Sequence, residues 1–456
     1  MAVRHPTNGD FPLADTVPFL YPCWDAVWQI RLLFPRPRFP LLSRGANTRP
    51  NRSASLPALP SFPMKLSQFP PPGKAILHHS GDTIAFTLEI DGASGGRAVL
   101  RTSLGGAKLL RREIIESMDS DRPPLAVDWS DFPMEPVASD NGKMQFSIRL
   151  PLIDIGFFRA KCCYFPQGSD VAVWPEGADV CIKVEPAWTC CWSSIYCAFP
   201  RQFGADATRE TARPDSESVK QLDKEHFTVI PQGGTFRSLI RHLDTILLEE
   251  RFRIVQLLPV HPCPTTFARM GRYGSPFAGT DFLTVDSALA EFDPAATPMD
   301  QFHELVDAVH TRGARIFIDL PANHTGWASA LQTHHPEWFR KDGNRFHSPG
   351  AWGVVWEDLV ELDYAKPGLR DFMAGVFEFW CAQGVDGFRC DAGYMIPADT
   401  WRYIVARVRE QFPDTVFLLE GLGGKISVTR DLIANQGLDW AYSEIFQTED
   451  RSAFEH

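Results

Sequence analysis

Three short runs decide the fold: Arg315-Ile-Phe-Ile-Asp319, Gly387-Phe-Arg-Cys-Asp391 and Val416-Phe-Leu-Leu-Glu420. Each is a largely apolar stretch of strand length that closes on a carboxylate. A strand with apolar side chains on both faces belongs in a sheet covered on both sides, which is the habit of parallel sheets. Between such runs the apolar period changes to that of helices. Phe302, Leu305, Val306 and Val309 share one helical face that Gly313 ends, and helices are expected over 369–384 and 401–412. Working outward, strands are expected at 195–199, 254–260 and 439–445. A helix should present Phe236, Leu239, Ile240, Leu243 and Leu247 on one face. A doubly wound sheet would usually carry a glycine-rich turn after its first strand, and none is here. The α/β reading is therefore a (β/α) barrel, whose site lies at the carboxyl ends of its strands.

Those ends carry the chemistry. Asp319 closes one strand and is followed by Asn323 and His324, Arg389 and Asp391 close the next, and Glu420 closes the one after. One strand-end carboxylate alone usually caps the following helix. Carboxylates on two neighbouring strands, with Arg389 two positions before Asp391, point instead to a shared site. Positions two apart share a strand face, so Arg389 can lie beside Asp391 and hold it ionised.

Residues 64–187 read differently. Ile84, Phe86, Leu88 and Ile90 alternate with polar or small residues, as do Met144, Phe146, Ile148 and Leu150, then Phe158, Ala160, Cys162 and Tyr164, then Val180, Ile182 and Val184. Asp91–Gly92 and Asn141–Gly142 supply turns. This is the pattern of a β-sandwich, expected to brace its neighbour because the sequence singles out no aromatic platform. Residues 1–63 are rich in Pro and Arg, contain no Lys, lack a sustained period and lack the features of a secretory signal. They are expected to be disordered or a spurious extension upstream of Met64. The barrel takes 188–456.

Composition bounds the rest. A chain of 456 residues with a net charge of −11 is not built to grip nucleic acid or an anionic membrane by bulk electrostatics, and no apolar run is long enough to span a bilayer. The 10 cysteines include the vicinal pairs Cys162–Cys163 and Cys190–Cys191 and form no zinc-spaced CxxC pairs. Free thiols suit a reducing, cytoplasmic compartment. His261 and Cys263 are too few ligands for a metal, so no metal site is expected there.

The runs Asp319-Leu-Pro-Ala-Asn-His324, Gly387-Phe-Arg-Cys-Asp391 and Phe417-Leu-Leu-Glu420 resemble three signature regions of glycoside hydrolase family 13, the α-amylase family. The stretch from Arg272 to Asp286 is similar to that family's approach to its third strand, and the resemblance covers about 190–456. It implies that Asp391 is the nucleophile that forms a covalent glycosyl ester and Glu420 the general acid and then base, with Arg389 orienting the nucleophile. It further implies that His324 hydrogen-bonds sugar hydroxyls, that Tyr273 forms a stacking floor, and that Asp319 and Asn323 are architectural. The matching Asn ligates calcium in some relatives, although no other ligands can be located here. No other cofactor is implied. The implied substrate is an α-1,4-linked glucan or maltooligosaccharide.

One feature departs from that family. Its fourth signature, a His-Asp pair at the end of the seventh strand, has no counterpart after Glu420; Glu455–His456 stands in the reverse order. The expectation is an incomplete (β/α)8 barrel of about six strands, a truncated chain that folds poorly and turns over little substrate. Three readings compete: an α-glucan hydrolase, a transferase (elongating, branching or maltosyl-transferring) using the same ester, and an inactive fragment or non-catalytic glucan-binding protein. Hydrolase and transferase share one nucleophile and one acid/base, so these residues do not separate them.

Overall fold

The computed structural model describes residues 2–4, 64–204, 227–229 and 233–442, apart from 94, 141–142, 191–193, 265–274 and 423. The expectation for 1–63 lies outside the described residues, save that Ala2–Arg4 pairs antiparallel with Phe227–Val229.

Six strands, β1 (Ile195–Ala198), β2 (Ile254–Leu257), β3 (Arg315–Leu320), β4 (Gly387–Cys390), β5 (Val416–Leu419) and β6 (Trp440–Ala441), form one sheet in chain order. Every pairing is parallel. Among the described residues the sheet is thus a half-barrel, as the alternation of strands and helices predicts. Alternate side chains point to opposite faces. The outward set, including Val255, Leu257, Ile316, Ile318, Phe388, Phe417 and Leu419, is buried in one core with the helices Pro298–Thr311, Leu369–Ala382 and Ala398–Gln411. The inward set begins with Ile254, Phe317 and Val416, which gather with Ile195, Trp440 and Trp188 in a second, smaller cluster. Gly387 joins this inner layer without a side chain because it has no room for one: a Cβ there would stand 2.5 Å from the Phe317 ring.

The helix Pro298–Thr311 shows how local sequence fixes an element. Thr297 and Asp300 form a capping box, with Thr297 Oγ1 accepting from the Asp300 N–H and Asp300 Oδ2 from the Thr297 N–H, and Pro298 fills the first turn, where no N–H is needed. Phe302, Leu305, Val306 and Val309 are all buried, as their spacing predicts.

The helix expected to carry Phe236 through Leu247 is instead two pieces, Phe236–Ile240 and a wide-turned Thr245–Glu249 in which the Glu250 N–H reaches back to the Thr245 carbonyl. The break keeps Leu243, Ile246 and Leu247 inside and turns Leu248 to solvent. The strand expected at 439–445 is recorded only at Trp440–Ala441, and residues beyond 442 lie outside the described residues.

Residues 64–187 form two sheets. Lys65–Phe69, Thr83–Asp91, Lys143–Pro151 and Glu135–Asp140 lie side by side in one, all antiparallel. Ala75–His79, Val180–Glu185, Gly156–Pro166, Gly96–Thr102 and Ser130–Pro133 make the other, with one parallel pair at its edge. Phe86 and Leu88 from the first meet Leu100, Cys162 and Ile182 from the second in a shared core. The alternating reading here overlooks a helix, Ala107–Ser120, between the strands. That helix packs on Ala398–Gln411: Arg111 donates to the Arg409 carbonyl (2.9 Å) and the Ile155 carbonyl (2.7 Å), and Arg112 pairs with Glu410. At the amino-terminal end of the half-barrel the Trp440 indole N–H donates to Glu185 (3.1 Å) and the Lys183 ammonium to the Asp439 carbonyl.

Candidate active site

The inward positions climb from apolar to charged along β3, β4 and β5. In β3, Phe317 is followed two residues later by Asp319; in β4, Gly387 by Arg389 and then Asp391; in β5, Val416 by Leu418 and then Glu420. The pairing register puts Asp319 directly opposite Arg389. Neighbouring strands lie about 4.8 Å apart, which sets two facing side chains in direct contact. Arg389 Nη1 accordingly donates to both Asp319 oxygens, at 2.8 and 2.7 Å, and to Asp391 Oδ1 at 2.7 Å. One guanidinium nitrogen thus ties a buried carboxylate to the strand-end carboxylate expected to react.

Electrostatics follow from burial. Asp319 is fully buried, and desolvation pushes its carboxyl well above the usual range against the pull of Arg389. Burial works against the Arg389 charge too, but Asp319 and Asp391 outweigh it and hold the guanidinium above its ordinary value. The Phe277 and Tyr442 rings stand 5.8 and 5.7 Å from that guanidinium, within cation–π range.

The strand pair β4–β5 runs one residue past its ends: the Glu420 N–H donates to the Cys390 carbonyl and the Gly393 N–H to the Glu420 carbonyl, each at 3.1 Å. Asp391 and Glu420 are therefore adjacent. Ala392 takes a left-handed conformation (φ 45°), and its N–H reaches Glu420 Oε2 at 2.7 Å. The Leu422 N–H meets the other oxygen at 3.2 Å. Burial raises the Glu420 carboxyl above its ordinary value; these two N–H groups pull against the rise, and the Asp391 charge adds to it. A carboxyl whose pKa is shifted upward is the direction a general acid requires.

His324 is buried; its Nε2–H donates to the Phe277 carbonyl (3.1 Å), and burial lowers its pKa, so the ring is held neutral. A carbonyl can only accept, which leaves Nδ1 as a bare lone pair, and that atom is buried without a partner among the described residues. The Asn323 amide N–H points at Met395 Sδ (3.2 Å) while its oxygen is likewise unpartnered. A calcium ion takes six to eight oxygens. Asn323 Oδ1 offers one, and among the described residues no three His, Cys, Asp or Glu gather where they could hold a metal. Tyr273 lies outside the described residues, as do Glu455 and His456. His261 is buried against Phe282 and Trp380 with its pKa lowered by burial to about 4, a packed core histidine.

The structure thus brings Asp319, Arg389, Asp391 and Glu420 together and sets Asn323 and His324 on the segment that leaves β3. Sequence reasoning missed Phe277, Tyr442 and Tyr394. Tyr394 feels both Glu420 and Asp391, and burial raises its hydroxyl to about 12. Tyr442 follows β6 at once, but the strand expected at 439–445 placed it inside the run and hid it from the strand-end rule; Phe277, acting through its carbonyl and ring face, has no such signal.

A parallel half-barrel with inward carboxylates and an arginine at its carboxyl rim is the arrangement of barrel proteins that carry their reactive groups at the strand ends. Residues 286–418 match the family model described as alpha amylase, catalytic domain. Over those residues the chain is similar to the catalytic domain of the α-amylase family. It is 30% identical over 265 residues to the alpha-1,4-glucan:maltose-1-phosphate maltosyltransferase of Burkholderia pseudomallei, covering 55% of this chain and 23% of that protein. To the protein of the same name from Chlorobaculum tepidum it is 27% identical over 199 residues, 41% of this chain and 29% of that one. The chain therefore spans less than a third of the length of either relative. An alpha-amylase from Lactobacillus plantarum superposes with a TM-score of 0.44 at 24% identity, over 56% of this chain and 54% of that one. Among the described residues no helix is long and apolar enough to cross a membrane.

Proposed function

We propose that this chain carries the catalytic carboxylates of an α-glucan-active enzyme that works by retaining double displacement, and that the reaction is glycosyl transfer. The observation behind the chemistry is the single Arg389 nitrogen bonded to Asp391 beside a Glu420 whose carboxyl burial raises above its ordinary value. Transfer is preferred over hydrolysis because the curated relatives are named maltosyltransferases. In this reading the Asp391 carboxylate attacks the anomeric carbon while Glu420 gives its proton to the departing oxygen. A sugar hydroxyl of the acceptor then gives its proton to Glu420 and displaces Asp391 from the ester. Retention needs the two carboxyl groups about 5–5.5 Å apart, and adjacent strand ends supply that order of spacing. Arg389 holds Asp391 in place through its hydrogen bond, Asp319 anchors Arg389, and His324 Nδ1 accepts from a sugar hydroxyl. Tyr273 provides the stacking floor. Residues 64–187 serve as a β-sandwich domain bracing the catalytic unit.

The donor and acceptor are tested together. The protein is incubated with maltose 1-phosphate and a maltooligosaccharide, and products are resolved by chain length. Growth in steps of two glucose units with release of phosphate is the expected result. Free maltose, or shortened chains without any donor, would establish hydrolysis instead.

A further inference from the structure

The rim holds a third inward residue beside its two carboxylates. Cys390 pairs with Leu419 and Leu419 with Ala441, so the next residues along these strands, Asp391, Glu420 and Tyr442, fall in one row. The Tyr442 N–H continues the ladder by donating to the Leu419 carbonyl at 3.3 Å. Alternation sends the Tyr442 side chain to the same face as Trp440, which packs in the inner cluster. β6 lies two strands from β4, about 10 Å away, a gap that a tyrosine ring reaches across and a short side chain does not. The Tyr442 ring stands 5.7 Å from the Arg389 guanidinium. Arg389 itself is bonded in an unusual way. A guanidinium and a carboxylate prefer two parallel bonds from two nitrogens. Arg389 instead spends the one nitrogen Nη1 on both Asp319 oxygens, at 2.8 and 2.7 Å, and on Asp391 at 2.7 Å. Asp319 is the more deeply buried of the two partners, and a charge pair attracts more strongly where water is excluded. Something must therefore keep the guanidinium from turning wholly to Asp319.

We infer that Tyr442 is a positioning residue whose ring face bears on the Arg389 guanidinium and keeps Nη1 divided between Asp319 and Asp391, so that Asp391 stays aimed along the rim. The inference rests on the reading of Asp391 as the nucleophile. A ring face attracts a guanidinium through its quadrupole, and the attraction grows where the cation is shielded from water. The Arg389 side chain is only 15% exposed, which places the contact in that stronger range. Without the ring, Arg389 is free to turn, meet Asp319 through two nitrogens and release Asp391. The Tyr442 hydroxyl also feels Arg389: burial raises its pKa, and the Arg389 charge and hydrogen bond draw it back. Ring and hydroxyl are therefore tested separately.

Tyr442→Phe keeps the ring, Tyr442→Ala removes it, and Tyr442→Leu keeps bulk without a π face, which serves should the alanine variant not fold. Each full-length chain is treated with an α-maltosyl fluoride carrying fluorine at C2, and the ester formed on Asp391 is followed by peptide mass spectrometry. The fluoride leaves without a proton, so the reading does not pass through Glu420. Ester formation should slow roughly tenfold in Tyr442→Ala and Tyr442→Leu and at most about threefold in Tyr442→Phe. Affinity for maltoheptaose and the melting temperature should stay near those of the unaltered chain, whereas a merely structural role would move the melting temperature. Phenylglyoxal supplies a reading that needs no reaction at the rim: Arg389, mapped by peptide mass, should be modified faster in Tyr442→Ala than in Tyr442→Phe or the unaltered chain. An undiminished rate of ester formation in Tyr442→Ala would overturn the inference. So would an equal loss in Tyr442→Phe, which would give the role to the hydroxyl. If the unaltered chain forms no ester, the catalytic reading fails, and the phenylglyoxal rates alone decide whether Tyr442 holds Arg389: faster modification in Tyr442→Ala sustains that contact, and equal rates overturn it.

Discussion

The two ends of the half-barrel are built from the same strands and the same inward row, and they differ in almost everything else. At the amino-terminal end the row is Ile195, Ile254, Phe317 and Val416, closed by Trp188 and Trp440, whose rings meet edge to face at 6.3 Å. At the carboxyl end it is Asp319, Arg389, Asp391 and Glu420. Phe317 and Asp319 are two residues apart. One end buries apolar surface, contributing about 25 cal/mol for each Å² removed from water; the other accepts the cost of desolvating charge to place reactive groups. Stability and reactivity are therefore separable along one strand, and mutations at the two ends should move different observables.

The largest expected effect is at the charged end. Asp391→Ala removes the atom that would form the ester, and turnover should fall by roughly 10⁴-fold or more while the melting temperature stays near that of the unaltered chain. Near-normal turnover would take Asp391 out of the nucleophile role and would blur the contrast between the ends. Phe317→Ala is the converse. It opens a cavity in the plug and should cost about 3–5 kcal/mol of stability, read from denaturant unfolding, with activity per folded molecule retained. A loss of activity without loss of stability would show that the plug positions the rim directly.

Glu420→Gln comes next. Its loss should be about 10²–10⁴-fold on substrates whose leaving oxygen needs a proton, and far less on a glycosyl fluoride, which departs unaided. Because burial raises the Glu420 carboxyl, the alkaline limb of the pH–rate profile should lie above the ordinary glutamate range. The acid is active when protonated, so activity falls as pH rises through that value. An alkaline limb unchanged in Glu420→Gln would assign it to another group.

What the sequence disclosed follows the same division. Asp391 and Glu420 were legible because each ends an apolar run too short for a helix, and a charge at such an end has few other reasons to be there. Arg389 was legible from its spacing of two. The plug was not: Trp188 belongs to a short turn at Ala187–Thr189, and nothing in its neighbours says that it meets Phe317 edge to face at 6.2 Å. The helix Ala107–Ser120 was overlooked because the strands around it set the period; Leu109 in it is half exposed, and only Ala107 is fully buried, so its apolar face is weak. Trp129 and Trp174 are 45 residues apart in sequence yet line one pocket on the outward face of the second sheet. Pattern reveals what is local and periodic. It does not reveal which distant residues a sheet brings together.

The smallest effect sits at the boundary between the two ends. Asp319 is fully buried, and desolvation lifts its carboxyl well above the unfolded value of about 3.9 despite two bonds from Arg389. A group whose folded pKa is raised contributes stability that is fully present below its unfolded pKa and lost as pH rises through the folded one. The unaltered chain should therefore lose stability with rising pH from about 4 until Asp319 has ionised, at up to about 1.4 kcal/mol per pH unit from this one proton. Asp319→Asn keeps an oxygen that can accept from Arg389 but has no proton to lose, so its stability should lack that component. Denaturant unfolding of the two proteins across this pH range measures the difference in slope directly. Parallel curves would mean that Arg389 fully compensates the burial, and that the charged region begins one residue pair deeper in the barrel, at Asp319 itself.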